Sequence, residues 1–190
     1  RACDFLMDNI GNISSVSGIA AALDAAGTRV SVATLAQYLG YLCQAFAFYR
    51  VRRYDVGGKK YLTSGDKYYL SDHAIRYAKL GTKKLDFGHV YENMVALELL
   101  RRGWEIYVGV LYKKEIDFVA IRRDERVYIQ VSDDISRQET FEREVAPLLA
   151  IRDAYPKMVI ARTKHEAVDY EGIKVVDIAR WLMGEGSDVE

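Results

Sequence analysis

The sequence predicts a mixed α/β protein built from two parts. The first part contains three short segments with helical periodicity, followed by two strand-like runs around a glycine pair. The second part starts with a long amphipathic helix and continues with apolar strands and further helices, an order typical of a mixed sheet with a helix on each face. The sign of the net charge also changes between the two parts, near residues 80–86.

The composition is that of a globular protein, with half of the 190 residues apolar and 28% charged. The net charge is zero, but residues 1–86 carry twelve Lys and Arg against seven Asp and Glu, and the remainder carries fifteen against twenty. The mild basic excess makes the first part the better candidate for weak contact with an anionic partner.

Targeting signals are not visible. No apolar run approaches the roughly 20 residues needed to span a bilayer, and no signal peptide is present, so we expect a cytoplasmic protein without membrane contact. Cys3 and Cys43 fall in predicted helices without metal-ligand spacing, and we expect both to be reduced. Because the chain begins with Arg rather than Met, we expect it to be a fragment of a longer protein.

The first part, predicted as residues 1–84, begins with three helices. Residues 1–9 form the first and Gly11 ends it, Ser14 to Ser17 offer N-caps for a second helix that stops at Gly27, and Ser31 caps a third from Val32 to Phe46. Two strands then flank Gly57-Gly58, namely 48–56 and 60–70. Three helices followed by a β-hairpin are the arrangement of a winged-helix domain. A short helix capped by Ser71-Asp72 and a linker at 81–84 close this part.

The second part is predicted as an α/β domain over residues 85–184, with a disordered tail at 185–190. Its predicted elements are a helix at 87–102, strands at 105–111, 116–121 and 127–131, a helix at 138–154, strands at 157–161 and 173–176, and a helix ending near Met183.

The strands predicted at 116–121 and 127–131 form a hairpin that carries three of the candidate catalytic residues. Asp117 lies inside its first apolar strand, and Gln130 and Ser132 lie at alternate positions of the second, on one strand face. A strand carboxylate beside polar side chains of the next strand, with an acid on an upstream helix, is the layout of a metal-dependent phosphodiesterase core.

Several segments carry a family resemblance. The second part resembles the PD-(D/E)XK, or restriction-endonuclease-like, fold, and the whole chain resembles the C-terminal region of a family of bacterial and archaeal AAA-type ATPases. In that family a P-loop ATPase module precedes a winged-helix domain and a nuclease-like domain of unknown function. The order and spacing of the segments carry the resemblance over residues 1 to about 183; they are Asp8-Asn9-Ile10-Gly11 with Ile19 and Ala20, Val30-Ser31 with Thr34, Tyr38 and Leu42, Lys67-Tyr68-Tyr69-Leu70-Ser71-Asp72, Gly88-His89-Val90-Tyr91-Glu92-Asn93, Glu115-Ile116-Asp117-Phe118-Val119, and Ile129-Gln130-Val131.

The resemblance implies a degenerate nuclease site. Glu92 takes the position of the helical metal ligand and Asp117 that of the strand ligand, whereas Gln130 and Ser132 occupy the positions of a Glu and a Lys. Gln130 lacks the charge that attracts Mg²⁺, and Ser132 cannot replace an ammonium group. Glu92 and Asp117 would therefore hold Mg²⁺ only if the site were active.

Three interpretations of the site remain open at this point. Lys113 or Lys114 could reach in from the adjacent strand while Asp133 or Asp134 supplies an acid, which would restore a rearranged nuclease. Otherwise Glu92 and Asp117 form a relict polar pair, or the cleft has kept only a binding role.

Cofactors and partners follow from the same resemblance. The chain lacks G-x-x-x-x-G-K-[ST], so ATP would be bound by an upstream module and no cofactor is expected in this segment. That ATPase module is the expected partner, with nucleic acid and a second copy of the chain left open.

The hairpin of the first part supplies the nucleic-acid candidates, which are Arg50, Arg52, Arg53, Lys59 and Lys60. In a DNA-binding winged helix such residues contact phosphates while the third helix enters the major groove. The third helix here has no Arg or Lys, which disfavours a transcription regulator and favours packing against another module. We therefore expect a non-catalytic regulatory or interaction region, with a rearranged metal-dependent nuclease as the alternative.

Overall fold

The computed structural model describes residues 1–58, 60–62, 65–81, 86–112 and 114–185 of the chain. The helices are α1 (Ala2–Asp8), α2 (Val16–Ala25), α3 (Val32–Gln44), α4 (His73–Leu80), α5 (Phe87–Arg101), α6 (Gln138–Leu149) and α7 (Ile178–Leu182). The strands are β1 (Phe48–Val51), β2 (Arg53–Asp55), β3 (Lys60–Tyr61), β4 (Lys67–Leu70), β5 (Glu105–Leu111), β6 (Lys114–Arg122), β7 (Glu125–Ser132), β8 (Lys157–Ala161), β9 (Val168–Tyr170) and β10 (Ile173–Asp177). The predicted boundary at residue 84 and residues 186–190 of the predicted tail lie outside the described residues.

The second and third of the three N-terminal helices begin where the serines predict. Ser15 Oγ accepts a hydrogen bond from the Gly18 amide at 3.0 Å, and Ser31 Oγ accepts one from the Thr34 amide at 3.1 Å. Each bond satisfies an amide that has no partner within its helix. The helices then bury Leu6, Ile19, Leu35 and Leu39 against one another.

The predicted hairpin of the first part is divided between two sheets. β1 pairs with β4 in a two-stranded antiparallel sheet, whereas β2 pairs with β3 and also runs parallel to β5. The predicted strands 48–56 and 60–70 are therefore each broken. The division follows the apolar side chains, because Phe48 and Val51 enter one core and Tyr54 and Val56 enter another.

The large sheet has eight strands in the order β3-β2-β5-β6-β7-β8-β10-β9. Strands β5, β6 and β7 are antiparallel, and β7, β8 and β10 are parallel. The predicted mixed α/β class is thus confirmed. The short edge strand β9 was not predicted, and α6 ends at Leu149 rather than at residue 154. Beyond α6, Asp153 accepts hydrogen bonds from the Tyr155 amide and the Tyr128 hydroxyl, which turns the chain toward β8.

Two cores cover the two faces of this sheet. One core contains Val95 and Leu99 of α5 and Trp181 of α7, together with Leu35 and Phe48 of the first part. The other lies beneath α6 and contains Val145 and Leu148. Because the first core is continuous through the N-terminal helices, β4 is packed directly against α5.

Within the described part of the chain, none of the helices combines the length and the apolar character needed to cross a membrane. Cys3 and Cys43 are half-buried and are not joined to each other.

Candidate functional site

Helix α5 carries Glu92 into the interior. The Asp86 carboxylate caps the helix by accepting a hydrogen bond from the Gly88 amide at 3.0 Å. From this start, Glu92 and Asn93 lie on the same buried side of the helix as Val95 and Ala96. A carboxylate buried in such a place needs polar partners, because desolvation of an unpaired charge is expensive.

The β6–β7 hairpin places its polar residues beside this carboxylate. Asp117 Oδ2 accepts a hydrogen bond from the Val131 amide at 2.8 Å, and the Asp117 amide donates to Gln130 Oε1 at 3.2 Å. Gln130 and Ser132 are both buried. The fold therefore brings together the four site residues predicted from the sequence, which are Glu92, Asp117, Gln130 and Ser132.

An open cleft of about 440 Å³ joins these residues. Its charged and polar lining also includes groups from α5, from α6 and from the end of β7, namely Asp86, His89, Asp133, Asp134, Thr140, Arg143 and Glu144. Acids outnumber bases in this lining, so the cleft attracts cations and repels anions.

Lys67 completes the cluster from the other part of the chain. Its Nζ lies 2.7 Å from Glu92 Oε1, 2.6 Å from Glu115 Oε1 and 3.7 Å from Asp117 Oδ1. The Lys67 side chain is only 3% exposed. One buried ammonium group therefore lies among three carboxylates.

Two further side chains hold Glu92. The Tyr69 hydroxyl donates a 2.6 Å hydrogen bond to Glu92 Oε1, the oxygen that also accepts from Lys67. His89 Nδ1 lies 3.5 Å from Glu92 Oε2. Gly11 lies against the same groups, because a Cβ at this position would be 2.9 Å from His89 Nδ1 and 3.0 Å from Glu92 Oε2. The Glu92 carboxylate is thus enclosed by protein groups.

The charges in the cluster shift one another's pKa values. Burial alone would raise the pKa of Glu92, but Lys67 and the hydrogen bonds from His89 and Tyr69 outweigh it and hold that pKa below its usual value. Burial alone would lower the pKa of Lys67, but the neighbouring carboxylates, Glu92 foremost, give a net upward shift. Both groups therefore remain charged.

Asp117 behaves in the opposite way. Burial, reinforced by the nearby Glu92 carboxylate, raises the pKa of Asp117 to about 7. The ammonium is nearer to the two glutamates than to Asp117, and so offsets this effect only in part. Asp117 is the carboxylate of the cluster that takes up a proton near neutral pH.

Gln130 is committed to a separate network. Its Nε2 donates to Glu144 Oε2 at 3.2 Å, and Arg143 Nη2 pairs with the other oxygen of Glu144 at 2.8 Å. Because Gln130 Oε1 accepts from the Asp117 amide, both ends of the side-chain amide are occupied. The neutral Gln130 therefore links β6, β7 and α6.

The surrounding side chains do not fit a divalent metal ion. Among the described residues, no three His, Cys, Asp or Glu side chains are arranged to hold one. The position between Glu92 and Asp117, where the resemblance places Mg²⁺, is filled by the Lys67 ammonium. The histidines are also dispersed, with His73 on α4, His89 on α5 and His165 in the loop before β9.

The described residues among those considered as replacements interact with groups outside the cluster. Lys114 Nζ donates to the Ala146 carbonyl oxygen at 3.5 Å, and Lys113 lies outside the described residues. Asp133 pairs with Arg162 at 3.4 Å, and Asp134 accepts a 2.8 Å hydrogen bond from the Ser136 amide. The lysine that does reach the site, Lys67, was not nominated from the sequence.

The nucleic-acid candidates of the first part are not equivalent. Arg50 Nη2 lies 2.6 Å from Asp66 Oδ2, in an ion pair that joins β1 to the start of β4. Arg52 and Lys60 are exposed, and Arg53 is half-buried. Lys59 lies outside the described residues. Arg50 therefore has a structural role, and contact of this surface with nucleic acid stays a prediction.

Comparisons with known proteins give relatives without an assigned activity. Residues 1–86 match the model of a domain of unknown function, DUF8612. Over 179 residues the chain is 37% identical to an uncharacterized protein from Haemophilus influenzae, and the alignment covers 94% of this chain and 44% of that protein. The chain thus spans less than half the length of this relative. No solved structure matches the chain.

Proposed function

We propose that this chain is a non-catalytic regulatory and interaction region of an AAA-type ATP-binding protein, with a degenerate nuclease-like domain. The observation that carries the proposal is the 2.7 Å contact between Lys67 and Glu92. This contact uses the helical carboxylate of the nuclease-like site to hold β4 against α5. The site's polar groups therefore serve the internal architecture instead of a substrate.

The charge of the cleft supports a non-catalytic role. Cleavage of a phosphodiester needs positive charge to neutralise the charge that develops on the phosphate oxygens. Here the acids Asp86, Asp133, Asp134 and Glu144 surround the cluster, and Arg143 is already paired with Glu144. A phosphate group entering this cleft would be repelled.

The proposed AAA-type parentage rests on two observations. One is the order of the segments that resemble the ATPase family, and the other is the length of the Haemophilus relative. The Haemophilus relative extends well beyond the aligned residues, which leaves room in that protein for a further module. The 190 residues themselves lack the phosphate-binding loop of an ATPase. ATP chemistry is accordingly assigned to a separate module, which is also the proposed partner. Contact with nucleic acid is a further part of the proposal.

A nuclease assay tests the loss of catalysis. The purified chain would be incubated with single-stranded and double-stranded DNA in Mg²⁺ and in Mn²⁺, with Asp117→Ala as the matched control. We expect no cleavage above the level of the variant. Metal-dependent cleavage that Asp117→Ala abolishes would overturn the proposal.

A second assay tests the regulatory role. The full-length Haemophilus relative would be compared with a truncated form that lacks the region aligned with this chain. We expect the full-length protein to hydrolyse ATP and the truncation to change that rate several-fold. Absence of ATP binding by the full-length protein would contradict the AAA-type assignment.

One observation favours the alternative of a rearranged metal-dependent nuclease. Lys67 lies beside Asp117 and Glu115, so a lysine and strand carboxylates do converge, although the lysine comes from an unexpected strand. The same nuclease assay decides between the two functions.

A further inference from the structure

We propose that Lys67 is a built-in cation that takes the place of a divalent metal ion among Glu92, Glu115 and Asp117. The strand β4 would thereby keep the nuclease-like cleft free of metal. This inference rests on the proposed non-catalytic role of the site, but not on its AAA-type parentage.

The geometry is that of a cation with oxygen ligands. Oxygens from Glu92 and Glu115 lie 2.7 Å and 2.6 Å from Nζ, and Asp117 Oδ1 lies 3.7 Å away. Carboxylate oxygens bind Ca²⁺ at about 2.3–2.6 Å, so the two glutamate oxygens would need to move by at most a few tenths of an ångström to hold such an ion, whereas Asp117 would need to move by about 1 Å to join them. The ammonium and a divalent cation therefore compete for one position.

The backbone of β4 keeps the ammonium in that position. Leu70, three residues after Lys67, donates its amide to Asn93 Oδ1 at 2.7 Å and accepts from Asn93 Nδ2 at 2.9 Å. Tyr69 adds its hydrogen bond to Glu92. These contacts fix β4 on α5, and a tethered group has a high effective concentration at its site. A free cation must displace a charge that cannot diffuse away.

Removal of the ammonium should convert the cluster into a cation site. Without Lys67, the largely buried carboxylates of Glu92 and Asp117 and the partly exposed carboxylate of Glu115 would face one another beside an acidic cleft. Their repulsion would be relieved by hard divalent cations, which bind oxygen ligands of this kind. The variant should therefore depend on a cation that the natural chain does not need.

The experiment compares Lys67→Met with the natural chain in thermal unfolding, with Ca²⁺, Mg²⁺ or Mn²⁺ added against a chelator. We expect the Tm of Lys67→Met to rise by on the order of 5 °C at saturating cation, and that of the natural chain to remain unchanged. Calorimetry should detect Mn²⁺ bound tightly by the variant and at least tenfold more weakly by the natural chain. If Lys67→Met is unfolded in chelator, the added cation should restore its circular dichroism spectrum.

Two matched variants control this result. Lys67→Arg keeps the positive charge and should remain insensitive to cations. Lys67→Met combined with Glu115→Gln and Asp117→Asn removes two carboxylates and should lose the response.

The outcomes separate this inference from the proposed function. Cation-insensitive folding of Lys67→Met, or failure of cations to refold it, would overturn the inference alone. Tight metal binding by the natural chain would also overturn it, and DNA cleavage accompanying that binding would overturn the proposed function as well.

Discussion

The ammonium of Lys67 on β4 donates a 2.7 Å hydrogen bond to the carboxylate of Glu92 on α5, and both side chains are buried. This bond joins a strand of the N-terminal part to the first helix of the C-terminal part. Because Tyr69 and His89 contact the same carboxylate, Glu92 has little capacity left for an external ligand.

Replacement of Lys67 should destabilise the chain strongly. In the presence of chelator we expect Lys67→Met to lose about 3–5 kcal/mol of unfolding free energy, because breaking a buried ion pair leaves uncompensated charge. Urea unfolding measures the loss. The control is Lys114→Met, which removes an exposed lysine of β6 and should change stability by less than about 1 kcal/mol. Equal effects of the two variants would contradict the assigned role of Lys67.

Asp117 should make a stability contribution that disappears with rising pH. Its pKa in the folded chain is raised to about 7 from the usual 3.8, so the folded state binds this proton more tightly than the unfolded state does. The contribution is complete below the unfolded pKa and is lost as the pH rises through about 7. Asp117→Asn, which resembles the protonated form, should therefore gain about 4 kcal/mol of unfolding free energy relative to the natural chain as the pH rises between these limits.

Urea unfolding across this pH range measures the Asp117 effect. Asp134→Asn is a control of opposite sign, because the hydrogen bonds from Ser136 lower the pKa of Asp134 and its contribution is lost as the pH falls. A stability difference between Asp117→Asn and the natural chain that is constant with pH would disprove the assigned pKa shift.

Introducing at position 130 the carboxylate that the resemblance to nucleases implies should destabilise the protein. Gln130→Glu removes the hydrogen-bond donor to Glu144 and adds negative charge beside Asp117. We therefore expect the unfolding free energy to fall by about 2 kcal/mol at neutral pH and by less in acid. Gln138→Glu is the matched control, since Gln138 also donates to a glutamate, Glu142, but is exposed. Its loss should be below about 0.5 kcal/mol. A gain of stability in Gln130→Glu would indicate a site built for a cation.

Two neighbouring arginines of the first part should respond differently. Arg50→Ala leaves the buried Asp66 carboxylate without its cation. We expect the unfolding free energy to fall by about 1 kcal/mol, after allowance for solvent screening of the partly exposed arginine. Arg52→Ala should leave stability within about 0.5 kcal/mol. If this surface contacts DNA, Arg52→Ala should weaken DNA binding. It should also reduce the slope of the logarithm of the binding constant against the logarithm of the salt concentration by about one. An unchanged binding isotherm would remove Arg52 from the nucleic-acid candidates.

Much of the fold could be predicted from local signals. The caps at Ser15 and Ser31 and the apolar periodicity of α5 are encoded within a few residues, so these elements appear where expected. The division of the first hairpin was not predictable in this way. It depends on Tyr54 and Val56 finding a core made by distant strands, which the alternation of side chains within one strand does not reveal.

The candidate site was predictable in two of its carboxylates, Glu92 and Asp117, but not in its cation. Asp117, Gln130 and Ser132 follow from alternation within one hairpin, and Glu92 from the family resemblance. Lys67 contacts Glu115 across 48 positions of sequence, and no local pattern predicts that contact. One signal was available: a lysine inside the apolar run Lys67-Tyr68-Tyr69-Leu70 needs a buried anionic partner if the strand is buried.

The most direct measurement of the central claim is a double-mutant cycle between Lys67→Met and Glu92→Gln, followed by urea unfolding in chelator at neutral pH. If the Glu92 carboxylate serves to join β4 to α5, the two substitutions should be coupled by about 2–3 kcal/mol, with the double variant more stable than the sum of the single losses predicts. Additive losses, with coupling near zero, would contradict the claim and leave Glu92 free for another role.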